Sequence, residues 1–429
     1  MVDILQLEGV KTVGYRAEDD QIIVTVEHDE EPLQSCPDCG GQLYKHGNRT
    51  NTFADAPLHM QPTKLEVIRP RYRCKGCKKL VTPELVFLDE KRRATKRLVQ
   101  QVRKRCLDRT FTQIADDTGV TLNTIKNITL DFIEELERDV KFETPTIMGI
   151  DELKLAGEYR CVVTNIGMST LYDMLPNRTQ KTLIPYFAAL PDPEKVEWVC
   201  TDMWRPFKRS FQPYLPNATL VIDKFHVVRM ANNALEIERK SLQSLMTRQE
   251  RVRMKKHVRW LFLRRYSTLD AEQLESLHEV ATLHPELKLA YDIKEDFFDI
   301  YEARNKSEAI KRFHDWERNL PSGSKSFRDV AKTVNNHFED IFAYWDSPAR
   351  ITNAYTEGNN ALTRVANRMG RGYTFDVIRA KMLYNKIARS ISTINTQPSR
   401  TGWGWVSISK KTEYGPHIPT LADIFEEEP

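Results

Sequence analysis

Residues 146–176 read TIMGIDELKLAGEYRCVVTNIGMSTLYDMLP, and this stretch decides the fold. Between 95 and 139 apolar residues recur at helical spacing; past KFETP (141–145) they alternate, and β-branched residues take over. TIMGIDELKL (146–155), EYRCVVTNI (158–166) and LYDMLP (171–176) each predict a strand, the first carrying Asp151. Working outward, RTQKTLIPYFAAL (178–190) predicts a helix and VEWVCTDMW (196–204) a buried strand ending in Asp202. RPFKRSFQPYL (205–215) predicts another helix, and ATLVIDKFHVVRMANNALE (218–236) a strand running into a helix. The expected order is β-β-β-α-β-α-β-α, an α/β core with Asp151 inside its first strand and Asp202 at the end of its fourth.

The whole chain has 429 residues, enough for two to four domains around one sizeable core. Charged residues make up 29%, and the formal net charge of +4 says little by itself. The distribution says more: positions 69–105 hold fourteen Lys and Arg (69, 71, 73, 75, 78, 79, 91, 92, 93, 96, 97, 103, 104, 105) against Glu84, Asp89 and Glu90. A second basic cluster, RQERVRMKKHVRWLFLRR, runs from 248 to 265. Such blocks suit a phosphate backbone, and for the second an amphipathic solvated helix explains the pattern equally well. No apolar run approaches a membrane span and no signal pattern opens the chain, so a cytoplasmic protein is expected.

Seven cysteines argue against a disulfide framework, and four of them form CxxC pairs, Cys36 with Cys39 and Cys74 with Cys77. Four thiolates close a tetrahedral zinc shell, and the glycines in CPDCGG and CKGC let the backbone turn its N–H groups toward sulfur. The strand-like segments between the pairs predict a hairpin that brings them together. A redox CxxC is the alternative, weakened because neither pair opens a helix after a buried strand. Cys106, Cys161 and Cys200 read as small core residues.

In TKRLVQQVRKRCLDRTFTQIADDTGVTLNTIKNITLDFIEELERD (95–139), DDTGV breaks a helical pattern and Thr121 stands where an N-cap belongs. This predicts a helix-turn-helix whose second helix offers Thr121, Asn123, Thr124, Lys126 and Asn127 to DNA, with Arg92, Arg93 and Lys96 of the basic run beside it. A plain three-helix packing unit is the alternative.

ITNAYTEGNNALTRVANRMGRGYTF (351–375) sets Glu357 at the head of a stripe with Asn360, Arg364 and Arg368, opposite an apolar face of Ala361, Leu362, Val365, Ala366 and Met369. The residues between Ala231 and Ala349 are strongly helical and polar, an insertion expected to touch DNA or a second subunit through its basic helix, with a structural helical bundle as the alternative. The final 393–429 reads as an extended tail in which Trp403 and Trp405 stand out.

GIDE, VCTDMWRPF, VIDKFHVVR and NAYTEGNNALTRVANRMGRGY, behind two CxxC pairs and a helix-turn-helix, resemble bacterial insertion-sequence transposases of the ISL-three family, of the DDE group, over nearly the whole chain. The resemblance implies a ribonuclease H-like catalytic core (143–230 and 350–392) with a large all-α insertion (231–349). A zinc-binding β module (1–92) and a helix-turn-helix (93–142) would precede it, and a tail (393–429) would follow. It implies Asp151, Asp202 and Glu357 as the metal-binding triad for Mg²⁺ or Mn²⁺, with Asp223 and His226 matching a [C/D]xxH signature; capping and packing explain those two equally well. Hard cations take oxygen ligands, and two Mg²⁺ about 3.5–4 Å apart stabilise both the attacking and the leaving oxygen of a phosphodiester. The expected partners are the terminal inverted repeats and target DNA, in a homodimer or higher synaptic complex associated with the bacterial nucleoid. A non-catalytic DNA-binding regulator derived from such an enzyme, and a ribonuclease H-like structure-selective nuclease, are the rival readings.

Overall fold

A computed structural model describes residues 5–242, 247–253 and 259–392. The described residues divide into two compact units, one of residues up to 141 together with those from 365 on, the other of the residues between 142 and 364. The tail at 393–429, with Trp403 and Trp405, lies outside the described residues.

The first unit opens with a sheet of β1 (Val10–Glu18), β2 (Gln21–His28), β3 (Leu43–Leu58), β4 (Gln61–Cys74) and the short β5 (Leu80–Val81), in the order β1-β2-β4-β3 with β5 on β4. Period-two burial of Thr63, Leu65 and Val67 on β4 turns one face toward Leu5, Leu7, Val24, Val26 and Leu85. β3 and β4 form the long hairpin that the strand-like segments between the cysteine pairs predict, with Leu43 opposite Cys74. Next come α1 (Lys96–Arg105), α2 (Phe111–Thr118) and α3 (Leu122–Asp139). Asp55, fully buried on β3, ties α1 to the sheet by accepting from Thr95 at 2.6 Å and Arg97 at 2.7 Å. Thr110 and Gln113 form a capping box on α2, Gly119 ends it in the left-handed region (φ +67°), and Thr121 caps α3.

The second unit is built on a sheet of β6 (Ile147–Leu155), β7 (Glu158–Asn165), β8 (Thr170–Leu175), β9 (Trp198–Thr201) and β10 (Thr219–Ile222), in the order β10-β9-β6-β7-β8. β6, β7 and β8 are antiparallel neighbours, whereas β9 and β10 run parallel to β6. The connections that return β9 and β10 in parallel hold α4 (Gln180–Ala188) and α5 (Arg205–Phe211), and α6 (Lys224–Leu242) leaves β10. Both faces of this sheet are covered. Val199 enters the core of Ile150, Val163, Leu183, Phe187 and Phe207, and its neighbour Cys200 enters a larger core with Val227, Leu235 and Phe297.

After α6 the described residues form the helices α7 (Arg248–Arg253), α8 (Arg259–Leu263), α9 (Ala271–Leu283), α10 (Pro285–Asp299), α11 (Lys306–Arg318), α12 (Lys325–Asn336) and α13 (Phe338–Phe342). α10 and α12 pack on α6, which runs unbroken through position 231, where the sequence suggested the insertion would begin. Trp316 is buried in the helical core and donates from its indole to Ile293 O at 2.9 Å. α14 (Ala354–Gly370) follows, and the division between units falls within it at Val365. Residues past that point, with α15 (Phe375–Ser392), fall in the first compact unit, whereas the expected domains placed 350–392 with the core. The reason is polar. Lys381, buried on α15, donates to Cys106 O at 2.6 Å and Arg109 O at 2.8 Å at the end of α1, and Tyr373 Oη accepts from Phe111 N at 3.2 Å.

Candidate active site

Asp151 sits on β6, the middle strand of its sheet, and is 6% exposed. Its Oδ1 accepts from Glu152 N at 2.8 Å and its Oδ2 from Asn360 Nδ2 at 2.8 Å. Asp202 follows β9, its Oδ1 accepting from Trp204 N at 2.9 Å in the turn that starts α5. Asp223 follows the adjacent parallel β10 and is 1% exposed; Oδ1 accepts from Asn353 N at 3.0 Å and Oδ2 lies 3.3 Å from His226 Nδ1 on the first turn of α6. Glu357 is half-buried on the first turn of α14.

Asp151, Asp202 and His226 each offer a ligand atom within 4.8 Å of one another, and so do Asp223, His226 and Glu357. The expected triad is therefore spread over two overlapping groups joined at His226, and Asp223 and His226 stand inside the cluster. Burial is the largest influence on two of the acids: it pushes Asp151 up to about 7, with Asp202 and Asp223 adding to it, and Glu357 up to about 7, with Asp223 and Asp151 adding. Burial alone would lower His226, but the Asp223 hydrogen bond and the surrounding carboxylates push it up to about 9. Four carboxylates around one imidazole leave an excess of negative charge in a partly desolvated space, and a mainly carboxylate-oxygen set with one imidazole nitrogen suits a divalent cation.

α14 inverts the polarity read from its sequence. Leu362 (58%), Val365 (44%) and Met369 (60%) are exposed, whereas Asn353, Thr356, Asn359, Asn360 and Thr363 are buried. The inward side docks by hydrogen bonds. Asn353 Nδ2 donates to Ile150 O at 3.0 Å, Thr356 donates to Asn353 Oδ1 at 2.7 Å, and Thr356 and Thr164 hydroxyls meet at 2.7 Å. Gly149 makes room for this seam, since a Cβ there would lie 2.4 Å from Thr164 Oγ1 and 2.6 Å from both Asn353 Oδ1 and Thr356 Oγ1. Asn360, expected along DNA, is thus a buried partner of Asp151; Arg364 and Arg368 are exposed. The signal for this was present, because Asn is a poor residue for a helix interior, and 353, 356 and 360 share a face.

Sequence reading also missed Arg178. Its guanidinium lies 4.1 Å from the Tyr159 ring centroid and 4.7 Å from that of Trp204, and it pairs with Glu152. It thereby braces the strand holding Asp151 to the turn holding Asp202.

In the first unit, Cys36, Cys39, Cys74 and Cys77 all lie within 4.8 Å of one another, with Sγ–Sγ separations of 3.7 Å (36 to 77) and 3.5 Å (39 to 74). Zinc–sulfur bonds of about 2.3 Å require tetrahedral edges of about 3.8 Å, so the four thiols fit structural zinc. A Cβ on Gly41 would lie 3.0 Å from Cys74 Sγ. On α3, Asn123, Lys126 and Asn127 are exposed together with the capping Thr121, and Thr124 is half-buried. Arg93 and Lys96 are exposed, but Arg92 is half-buried and held by Asp131 at 2.5 Å and Asp89 at 3.4 Å, which makes it a brace between the linker and α3. In the second basic cluster, Arg259 pairs with Glu236 at 2.9 Å and Arg265 with Asp299 at 2.5 Å; residues 254–258 lie outside the described ones. Among the described residues no helix is long and apolar enough to cross a membrane.

Three family models match in chain order: a zinc-finger of transposases IS204/IS1001/IS1096/IS1165 at 32–77, the helix-turn-helix domain of transposase family ISL3 at 84–133, and the ISL3 DDE transposase model at 148–382. The transposase for insertion sequence element IS1001 of Bordetella parapertussis is 24% identical over 347 residues, covering 79% of this chain and 85% of that protein. With more than half its length matched by the transposase model, and the zinc-finger and helix-turn-helix models matched ahead of it, the chain belongs to the ISL3 (ISL-three) family of insertion-sequence transposases.

Proposed function

We propose that the protein binds the terminal inverted repeats of its element, cleaves the DNA and transfers the freed 3′-hydroxyls to target DNA at a DDE centre of Asp151, Asp202 and Glu357. The observation that carries this is the meeting of Asp151, Asp202, Asp223, His226 and Glu357 from β6, β9, β10, α6 and α14, positions up to 206 residues apart. Three antiparallel strands followed by two parallel ones, with acids on the first and fourth, support a ribonuclease H-like core. The three carboxylates of the triad would hold Mg²⁺ or Mn²⁺, which when bound stabilises the entering and leaving oxygens of an in-line displacement.

The chain's own groups have distinct tasks in this reading. Asp223 fixes His226, whose charge offsets the crowded carboxylates. Asn353 and Thr356 dock α14 so that Glu357 faces the strand ends, and exposed Arg364 and Arg368 lie along the same helix for the phosphate backbone. Asn123, Lys126 and Asn127 of α3 would read or grip the repeat, with the zinc module extending the contact. Two element ends must be held together, so a dimer or larger synaptic assembly is part of the proposal. The domains would divide as the resemblance implies up to α14, and the protein would work in the cytoplasm on the nucleoid.

The test is a reaction of purified protein with Mg²⁺, a supercoiled target and labelled element ends, beside Glu357→Gln. Cleavage and joining by the wild type alone support the reading. Cleavage without joining supports a nuclease, and binding without turnover in both proteins supports a regulator.

A further inference from the structure

Asn360 is 3% exposed, a buried amide in the middle of a helix. Its Nδ2 donates to Asp151 Oδ2 at 2.8 Å and, more weakly, to Glu152 O at 3.4 Å. Its Oδ1 is buried, and no donor reaches it among the described residues. A half-satisfied buried amide costs stability, so packing does not account for it. What it does is geometric. A carboxylate has about four lone-pair positions; on Asp151, Oδ1 takes the Glu152 amide and Oδ2 takes Asn360, so one lone pair on each oxygen remains and the carboxylate plane is fixed. Asn359 provides the contrast. It is buried one residue earlier and donates to Tyr355 O within its own helix, at 3.2 Å.

We infer that Asn360 is a positioning residue for Asp151, orienting its carboxylate so that both oxygens present their free lone pairs to the divalent cation. The inference rests on the reading of Asp151 as a metal ligand and deepens it. Because Asn360 rides three residues beyond Glu357 on α14, the same helix that supplies one acid sets the orientation of another. Groups that orient a metal ligand in this way change metal affinity by about 10–100-fold when removed.

The experiment measures Mn²⁺ binding to the full-length protein by electron paramagnetic resonance, without DNA or turnover. The variants are Asn360→Leu, similar in volume without a donor; Asn360→Ser, polar but shorter; Asn359→Ala; and Asp151→Asn. The expected result is that Asp151→Asn abolishes the tightest binding, both Asn360 variants weaken it about 10–100-fold, and Asn359→Ala leaves it within about twofold. Should Asn360→Leu fail to fold, Asn360→Ser carries the comparison. If Asp151→Asn binds Mn²⁺ as the wild type does, the metal-ligand reading falls and takes the inference with it. If Asp151→Asn loses binding while a folded Asn360 variant keeps wild-type affinity, or Asn359→Ala weakens it equally, the positioning role alone is overturned.

Discussion

At the scale of single residues, the site is held in a state the fold by itself does not favour. Asp151 and Glu357 are both pushed up to about 7. An acid raised in this way binds its proton more tightly folded than unfolded. Its contribution to stability is therefore full below about 4 and is lost as pH rises through that window to about 7. His226, raised to about 9, contributes stability below about 6.5 that is lost as pH rises through 9. All three shifts have the same sign, so metal-free protein is expected to lose thermal stability between pH 5 and 9, and Mn²⁺ to restore it. Asp151→Asn, with no charge left to bury, is expected to be more stable than wild type at pH 8 in chelator by roughly 1–4 kcal/mol, while losing strand cleavage; calorimetry and the labelled-end reaction check the two halves. The positions of Asp151 within a strand, Asp202 at a strand end and Glu357 early in a helix were legible from alternation and helical spacing, whereas their joint role came from the resemblance and stays a proposal. The burial of Asn360 was not legible, since a helical wheel assigns sides but cannot say which side meets a polar partner.

At the scale of elements, three devices make separate claims. The zinc hairpin places Leu43 opposite Cys74, so the register of β3 and β4 and the thiol cluster support each other. Cys36→Ser is expected to release zinc, read by a chromogenic chelator, and to lose repeat binding in gel shift. On α3, Lys126→Ala is expected to lower the salt dependence of DNA binding by about one unit in log K against log salt, whereas Asn123→Ala changes sequence preference by about 1–3 kcal/mol with the slope unchanged. Gly149→Ala drives a methyl into the Thr164, Asn353 and Thr356 hydroxyl and amide oxygens, and is expected to cost about 1–3 kcal/mol of stability and most of the activity. The helix-turn-helix and the paired cysteines were readable because caps, glycines and ligand spacing are local signals. Arg92 was read as a DNA contact because a basic run looks alike whether its charges face solvent or Asp131.

At the scale of the whole molecule, the strand and helix order from β6 to α6 was legible because alternation and helical periodicity exchange cleanly there. The contacts of α15 were not, because Lys381 and Tyr373 find backbone groups about 270 residues earlier in the chain. The proposed synaptic assembly predicts that light scattering will show at least two protein chains per pair of element ends, with excess single ends dispersing them.

The outward apolar stripe of α14 bears on the order in which the chain folds. Collapse is led by residues that leave water, and on this helix Leu362 and Met369 stay in it while the inward side offers amides and hydroxyls. Such a helix adds little to an early nucleus and docks once β6 and β7 already exist to receive its hydrogen bonds. Asn353→Ala and Thr356→Ala are expected to accelerate unfolding and leave the refolding rate nearly unchanged, the behaviour of a late-forming contact in stopped-flow measurements. Glu357 would then reach the other acids last, so a newly made chain would spend its first moments folded around a centre still one carboxylate short.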